Sequence, residues 1–133
     1  MQETRVQSPP ARALMIYDAD CRFCVFWIKR WQQATGEKVE YVPFQNPRVA
    51  TEFPELHRER LERSVHFIEP DGVVYRGAEA VFRSLATNPR RRLWLRLYQK
   101  LPGFAPLTEA AYRFVANHRT AFSALTRFFF QGE

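Results

Sequence analysis

Cys21 and Cys24 are the only two cysteines in the chain. They stand three residues apart in Asp18-Ala19-Asp20-Cys21-Arg22-Phe23-Cys24. A Cys-x-x-Cys pair at a helix start has an evident reaction. The first sulfur lies over backbone N–H groups that lack an intrahelical acceptor, at the positive end of the dipole. That stabilises its thiolate and lowers its pKa. The second sulfur is near enough to attack a mixed disulfide formed on the first. On this reading Cys21, reached by solvent, is the attacking thiol. Cys24 lies one turn deeper beside Trp27, Ile28 and Trp31 and is the shielded resolving thiol.

Two blander uses of the same pair stay open. Cysteines at a strand-helix junction can be small buried apolar residues, although Asp20 and Arg22 are charged neighbours. A zinc site would need two more ligands from His57, His66, His118 or the carboxylates, and the histidines lack zinc-finger spacing. The expectation is a dithiol that requires neither a bound cofactor nor a metal.

Asp18 and Asp20 are the further catalytic candidates. Either can carry a proton to or from Cys24, Asp18 being the better placed because it ends a buried strand. Each is equally a turn or cap residue, and Asp20 suits the helix N-cap. A carboxylate beside a thiolate raises the thiol pKa, whereas Arg22 pulls it down. Arg22 and Arg76 are candidate substrate contacts. Arg76-Gly77 also reads as an ordinary turn with a solvated arginine. His66 reads as a core or edge histidine, since strand alternation sets it beside Ile68.

These groups need a scaffold, and the sequence outlines one. Residues 13–17 are an apolar run suited to a strand buried on both faces. A helix-period stretch follows over residues 21–35 and stops at Gly36. A second strand spans 39–44, and Asn46-Pro47 opens a helix that breaks at Pro54 and resumes through Arg60. Strands at 65–68 and 73–75 flank the turn Glu69-Pro70-Asp71-Gly72, and a short helix spans 77–86. The order β-α-β-α-β-β-α predicts an α/β, thioredoxin-like fold: a central four-stranded mixed sheet flanked by helices. Its first and third strands would be antiparallel neighbours at the centre.

At the dithiol motif the chain resembles the DCC-type thiol-disulfide oxidoreductases, named for an Asp-x-x-Cys-x-x-Cys signature. Tyr17-Asp18-Ala19-Asp20-Cys21-Arg22-Phe23-Cys24 is similar to their Tyr-Asp-Gly-Asp-Cys-x-Phe-Cys. Ser64-Val65-His66-Phe67-Ile68 and Tyr75-Arg76-Gly77-Ala78-Glu79-Ala80-Val81 carry the likeness on, with weaker matches from Tyr112 to Arg119. The resemblance runs from about residue 14 to 120. It implies a thioredoxin-like fold and protein-disulfide reductase activity. Ala19 replaces the family's glycine. Thioredoxins proper carry a cis-proline before the strand facing the active site; here Arg63-Ser64 holds that place, and Ser64 is the expected stand-in as a substrate contact.

Composition bounds the rest. A chain of 133 residues, 46% hydrophobic and 15% aromatic, fits one globular domain and excludes disordered and fibrous classes. Two cysteines exclude a disulfide framework. No apolar run approaches the ~18 residues of a membrane span. Residues 1–12 hold no signal-peptide apolar core, so the expected compartment is the cytoplasm. The expected segments are a flexible lead-in at 1–12, a thioredoxin-like core at 13–88, and a basic, aromatic helical extension at 89–133 packed on that core.

The net charge of +6 lies in the last third, where Glu109 and Glu133 are the only acids. Leu93, Trp94, Leu97, Tyr98 and Leu101 fall at helical spacing there. Leu107, Ala111, Phe114, Val115 and His118 form a predicted inward stripe, and residues 120–130 continue with Phe122, Leu125 and Phe129. Packing on the core is one use of these helices. The other is contact with an anionic membrane or a membrane protein. Nucleic acid is not an expected partner, because no recognition motif accompanies the basic residues. The expected partners are therefore a disulfide-containing protein or small-molecule substrate and an external thiol reductant. The alternative function is a non-catalytic binding module that docks through its basic C-terminal helices.

Overall fold

The computed structural model describes residues 4–118, and its sheet grows outward from Ala13–Tyr17 (β2). This strand pairs in parallel with Val39–Pro43 (β3), placing Met15 opposite Tyr41. On its other side it pairs antiparallel with His66–Ile68 (β4), placing Met15 opposite Phe67. Val73–Arg76 (β5) closes back on β4 as an antiparallel hairpin. These four strands form the expected mixed sheet, with its first and third members antiparallel at the centre.

The stretch expected to be a mobile lead-in adds a fifth strand. Thr4–Arg5 (β1) pairs antiparallel with β5, giving the order β1-β5-β4-β2-β3. Val6 explains why: it is a buried apolar residue in the same cluster as Ile68 and Val74. Its N–H donates to the Gly72 carbonyl at 3.0 Å. Gly72 permits the approach, since a Cβ there would lie 3.1 Å from the Val6 carbonyl oxygen.

Alternation along β2 divides the core into two layers. Leu14 and Ile16 face Val42, Val49, Phe53, Leu61 and Ile68, covered by the short helices Pro47–Glu52 (α2) and Arg58–Arg63 (α3). Ala13 and Met15 face Ile28, Val39, Phe67 and Ala80, covered by Arg22–Thr35 (α1) and Gly77–Leu85 (α4). Full burial of side chains such as Phe53 and Phe67 is worth roughly 1.5–3 kcal/mol each. Asn46 caps α2 by accepting from the Arg48 N–H, with Pro47 in the first turn. The chain leaves the helix at Phe53 before Pro54, and α3 runs on to Arg63 rather than ending at Arg60.

The described part of the C-terminal extension forms Arg92–Lys100 (α5) and Phe104–Asn117 (α6), both packed on α4. Phe82 of α4 contacts Tyr98 and Phe104 at ring-centroid distances of 5.7 and 5.9 Å. The predicted inward stripe of α6 is corrected. Leu107 and Phe114 are 68% and 58% exposed, and Ala111 and His118 also face outward, with only Val115 half-buried. The inner face is instead set by polar anchors. Glu109 accepts from the Ala78 and Glu79 N–H groups at the start of α4, at 2.9 and 3.2 Å, and from the Tyr98 hydroxyl at 2.6 Å. Burial first, and Glu109 second, push the Tyr98 hydroxyl above its ordinary pKa. Three residues on, the Tyr112 hydroxyl accepts from the Val65 N–H at 3.0 Å. A half-buried carboxylate acceptor outweighs an aliphatic stripe, because an unfilled helix end costs more than an exposed leucine. The predicted continuation over residues 120–130 lies outside the described residues.

Candidate active site

The end of β2 and the start of α1 build the site. Phe44 N–H donates to the Tyr17 carbonyl, so the ladder holds the strand until its last residue. Asp18 then turns the chain: its Oδ1 accepts from the Asp20 N–H at 2.9 Å. Ala19 fits this turn, since among the described residues no side-chain-bearing residue has positive φ. Gln45, just beyond β3, clamps the loop. Its Nε2 donates to Asp18 Oδ1 at 2.7 Å and to Asp20 Oδ2 at 3.3 Å, while its Oε1 accepts from the Ala19 N–H at 3.2 Å.

Cys21, not Asp20, is the N-cap of α1. It has extended backbone (φ −96°, ψ 108°), and its Sγ accepts from the Cys24 N–H at 3.2 Å. The first turn of α1 contains no acidic residue. The dipole and this N–H therefore act on the Cys21 sulfur, and thiolate is the form they favour. The two cysteines are not joined by a disulfide.

Access is distributed otherwise than the spacing predicts. Cys21 is only 9% exposed, and Cys24 is the more open of the two. As N-cap, Cys21 turns its sulfur back over the first turn of its own helix. Cys24 lies on the flank of α1 shared with Trp27 and Trp31, and it lines a pocket there. The opposite walls are Leu61, Arg63, Ser64 and Val65 before β4, and Tyr112, Val115 and Ala116 of α6, with Asp18 and Phe23 at the dithiol end. The lining is mostly apolar, and the space, about 60 Å³, suits one side chain rather than a large cofactor.

The structure thus brings together Asp18, Cys24 and Ser64 around the pocket, with Cys21 hydrogen-bonded to the backbone of Cys24. Ser64 has extended backbone at the end of α3, in the stretch where thioredoxins carry proline. Asp20 and Arg22 are exposed at the helix start, outside the pocket lining. Arg76 ends β5 opposite His66, on an exposed position that is likewise not part of the lining. His66 is buried and donates from Nδ1 to the Ser64 carbonyl oxygen at 3.0 Å. Burial, ahead of the nearby Arg76 and Arg60 charges, pushes its pKa down to about 4. Among the described residues no three His, Cys, Asp or Glu side chains converge as a metal site.

Three contributors escape the sequence reading: Gln45, Arg63 and Tyr112. Arg63 had a signal, since it precedes Ser64 in the stretch aligned with the platform of thioredoxins. Tyr112 begins the weak family match near the C-terminus. Gln45 had none, because nothing local marks a side chain that reaches back across 27 residues.

A family model, DCC1-like thiol-disulfide oxidoreductase, matches residues 15–125. No curated protein and no solved structure matches the chain.

Proposed function

The chain belongs to the DCC1-like thiol-disulfide oxidoreductase family, and from that premise we propose that it reduces disulfides through Cys21 and Cys24, in the cytoplasm. The observation that carries this reading is the Cys24 N–H on Cys21 Sγ at a helix start, beside a pocket that Cys24 lines. The Cys21 thiolate attacks one sulfur of the substrate disulfide. A Cys21–substrate S–S bond forms, and the other substrate sulfur leaves as thiolate. Asp18, at the dithiol end of the pocket, accepts the Cys24 proton. Cys24 sulfur then attacks Cys21 Sγ, the mixed disulfide breaks, and the second substrate thiolate leaves. Two electrons have passed to the substrate, and an external thiol restores the dithiol. The narrow apolar pocket favours a disulfide flanked by an apolar side chain, with Ser64 as the backbone platform. Arg22 and Arg76, both solvent-facing, serve acidic groups of a larger protein substrate.

The test is equilibration with glutathione buffers, reading the Cys21–Cys24 disulfide by mass spectrometry. A reductase should have a potential below the roughly −220 to −260 mV glutathione poise of the cytosol. A value near −120 mV, as for a strong oxidant, would reverse the direction proposed. In a companion trap, Cys24→Ser should accumulate the mixed disulfide with a model substrate.

A further inference from the structure

We propose that the α5–α6 pair is a docking surface for an anionic lipid bilayer. Leu93, Leu97 and Leu101 recur at four-residue intervals along α5 and its C-terminal cap, and Arg92, Arg96 and Lys100 recur at the same interval one residue earlier. A step of one residue is about 100° around a helix, so an apolar stripe and a basic stripe run side by side. The apolar stripe is open at its two ends, with Leu97 half-buried between them: Leu93 is 61% exposed, Leu101 50% and the adjacent Trp94 46%, and Leu107 follows on α6. The basic stripe is exposed as well. Arg90 and Arg91 extend it on the preceding turn, so residues 90–100 hold five cations, and residues 88–108 hold no acid. Arg92 donates to the Ala86 carbonyl, yet none of the five is ion-paired among the described residues.

Charge decides the occupant. Seating a second copy on this surface would bring two cation clusters together without intervening acids. Nucleic acid would leave the leucines and Trp94 unused. An anionic membrane takes both stripes, with tryptophan and leucine entering the headgroup–acyl boundary while arginine and lysine meet phosphate. No helix among the described residues is long and apolar enough to cross a membrane, so the contact is peripheral. None of these residues lines the dithiol pocket, so this surface stands or falls apart from the redox reading.

The test is co-sedimentation of the full chain with phosphatidylglycerol-rich and with phosphatidylcholine vesicles. Binding to the first alone, weakened by salt, is expected. Arg92→Gln with Arg96→Gln, and separately Trp94→Gln with Leu101→Gln, should each weaken it by at least ~tenfold, while insulin reduction and melting temperature match those of the unaltered chain. Absence of binding to anionic vesicles would overturn the proposal. So would binding that neither pair of substitutions weakens, or a dimer in sedimentation velocity that Trp94→Gln with Leu101→Gln dissolves.

Discussion

Helices α1 and α4 lie on the same face of the sheet, and each presents an N-terminus whose backbone donors need acceptors. At α1 the acceptor is local and soft: the sulfur of Cys21, its own N-cap. At α4 the N-cap residue, Arg76, supplies no side-chain hydrogen bond, and Glu109 of α6 reaches in from about thirty residues away. Gly77 makes that approach feasible. It has φ +66°, and a Cβ there would stand 2.6 Å from Glu109 Oε1. One helix end is therefore satisfied by a side chain from another helix and fastens α6. The other holds a group whose charge appears only when a thiol ionises, and it is the one left for chemistry.

The contrast is sharpest when each acceptor is removed. Cys21→Ser should lower insulin reduction at least ~100-fold, since a serine hydroxyl does not ionise near neutral pH. Its stability should hold or rise by up to ~1 kcal/mol, because serine is a preferred N-cap. Retained turnover would show that Cys24, the more open thiol, attacks first. Glu109→Ala should behave oppositely, keeping both thiols but losing about 3–5 kcal/mol in urea unfolding. Two hydrogen bonds to a charged acceptor disappear, and the Tyr98 hydroxyl loses its partner. Glu109→Gln should lose roughly half as much; equal losses would show that the charge plays no part.

His66 offers a third, slightly smaller effect that links the site to pH. Its pKa is near 4 in the folded chain against an ordinary 6.5. Between those values the unfolded chain binds a proton that the folded chain excludes. Stability is therefore full above about pH 6.5 and falls as the pH drops toward 4, by about 3 kcal/mol in total. His66→Asn should flatten this slope in urea titrations at several pH values, and an unchanged slope would assign it to other groups. The smallest effect is expected at Gln45. Gln45→Ala should cost about 1 kcal/mol and remove one donor from the carboxylates of Asp18 and Asp20 near the dithiol, so the pH midpoint of Cys21 alkylation should move up. A downward move would show that Asp18 and Asp20 do not act on the thiol.

The same pair of helix ends shows what can be read from a sequence. The α1 start was legible because strand, turn, Cys-x-x-Cys and helix follow one another within about twenty residues, although the cap fell one residue later than Asp20. The apolar run of β2 and the Asn46-Pro47 start were legible for the same local reason. The start of α4 at Gly77 was legible too, but the group that accepts from its first N–H donors was not, since Glu109 reads as a lone acid in a basic tail. The available hint was negative: Tyr75-Arg76-Gly77-Ala78 offers a helix no local cap. Helical spacing alone then assigned Leu107 and Phe114 to the interior, where Glu109 and Tyr112 had already fixed the opposite face. Strand β1 was hidden because a two-residue strand has no periodicity to detect.

That strand also has a consequence in time. Thr4 pairs with Val74, so seventy residues of synthesis separate the two partners. At roughly 5–20 residues per second, β1 waits on the order of several seconds for β5 to emerge. The other four strands can close their ladders first, with shorter loops to order and a smaller entropic cost. Until β1 arrives, the outer edge of β5 is an open template that another chain can extend. A strand made long before β5 is then placed only after it, and it covers the β5 edge against other chains.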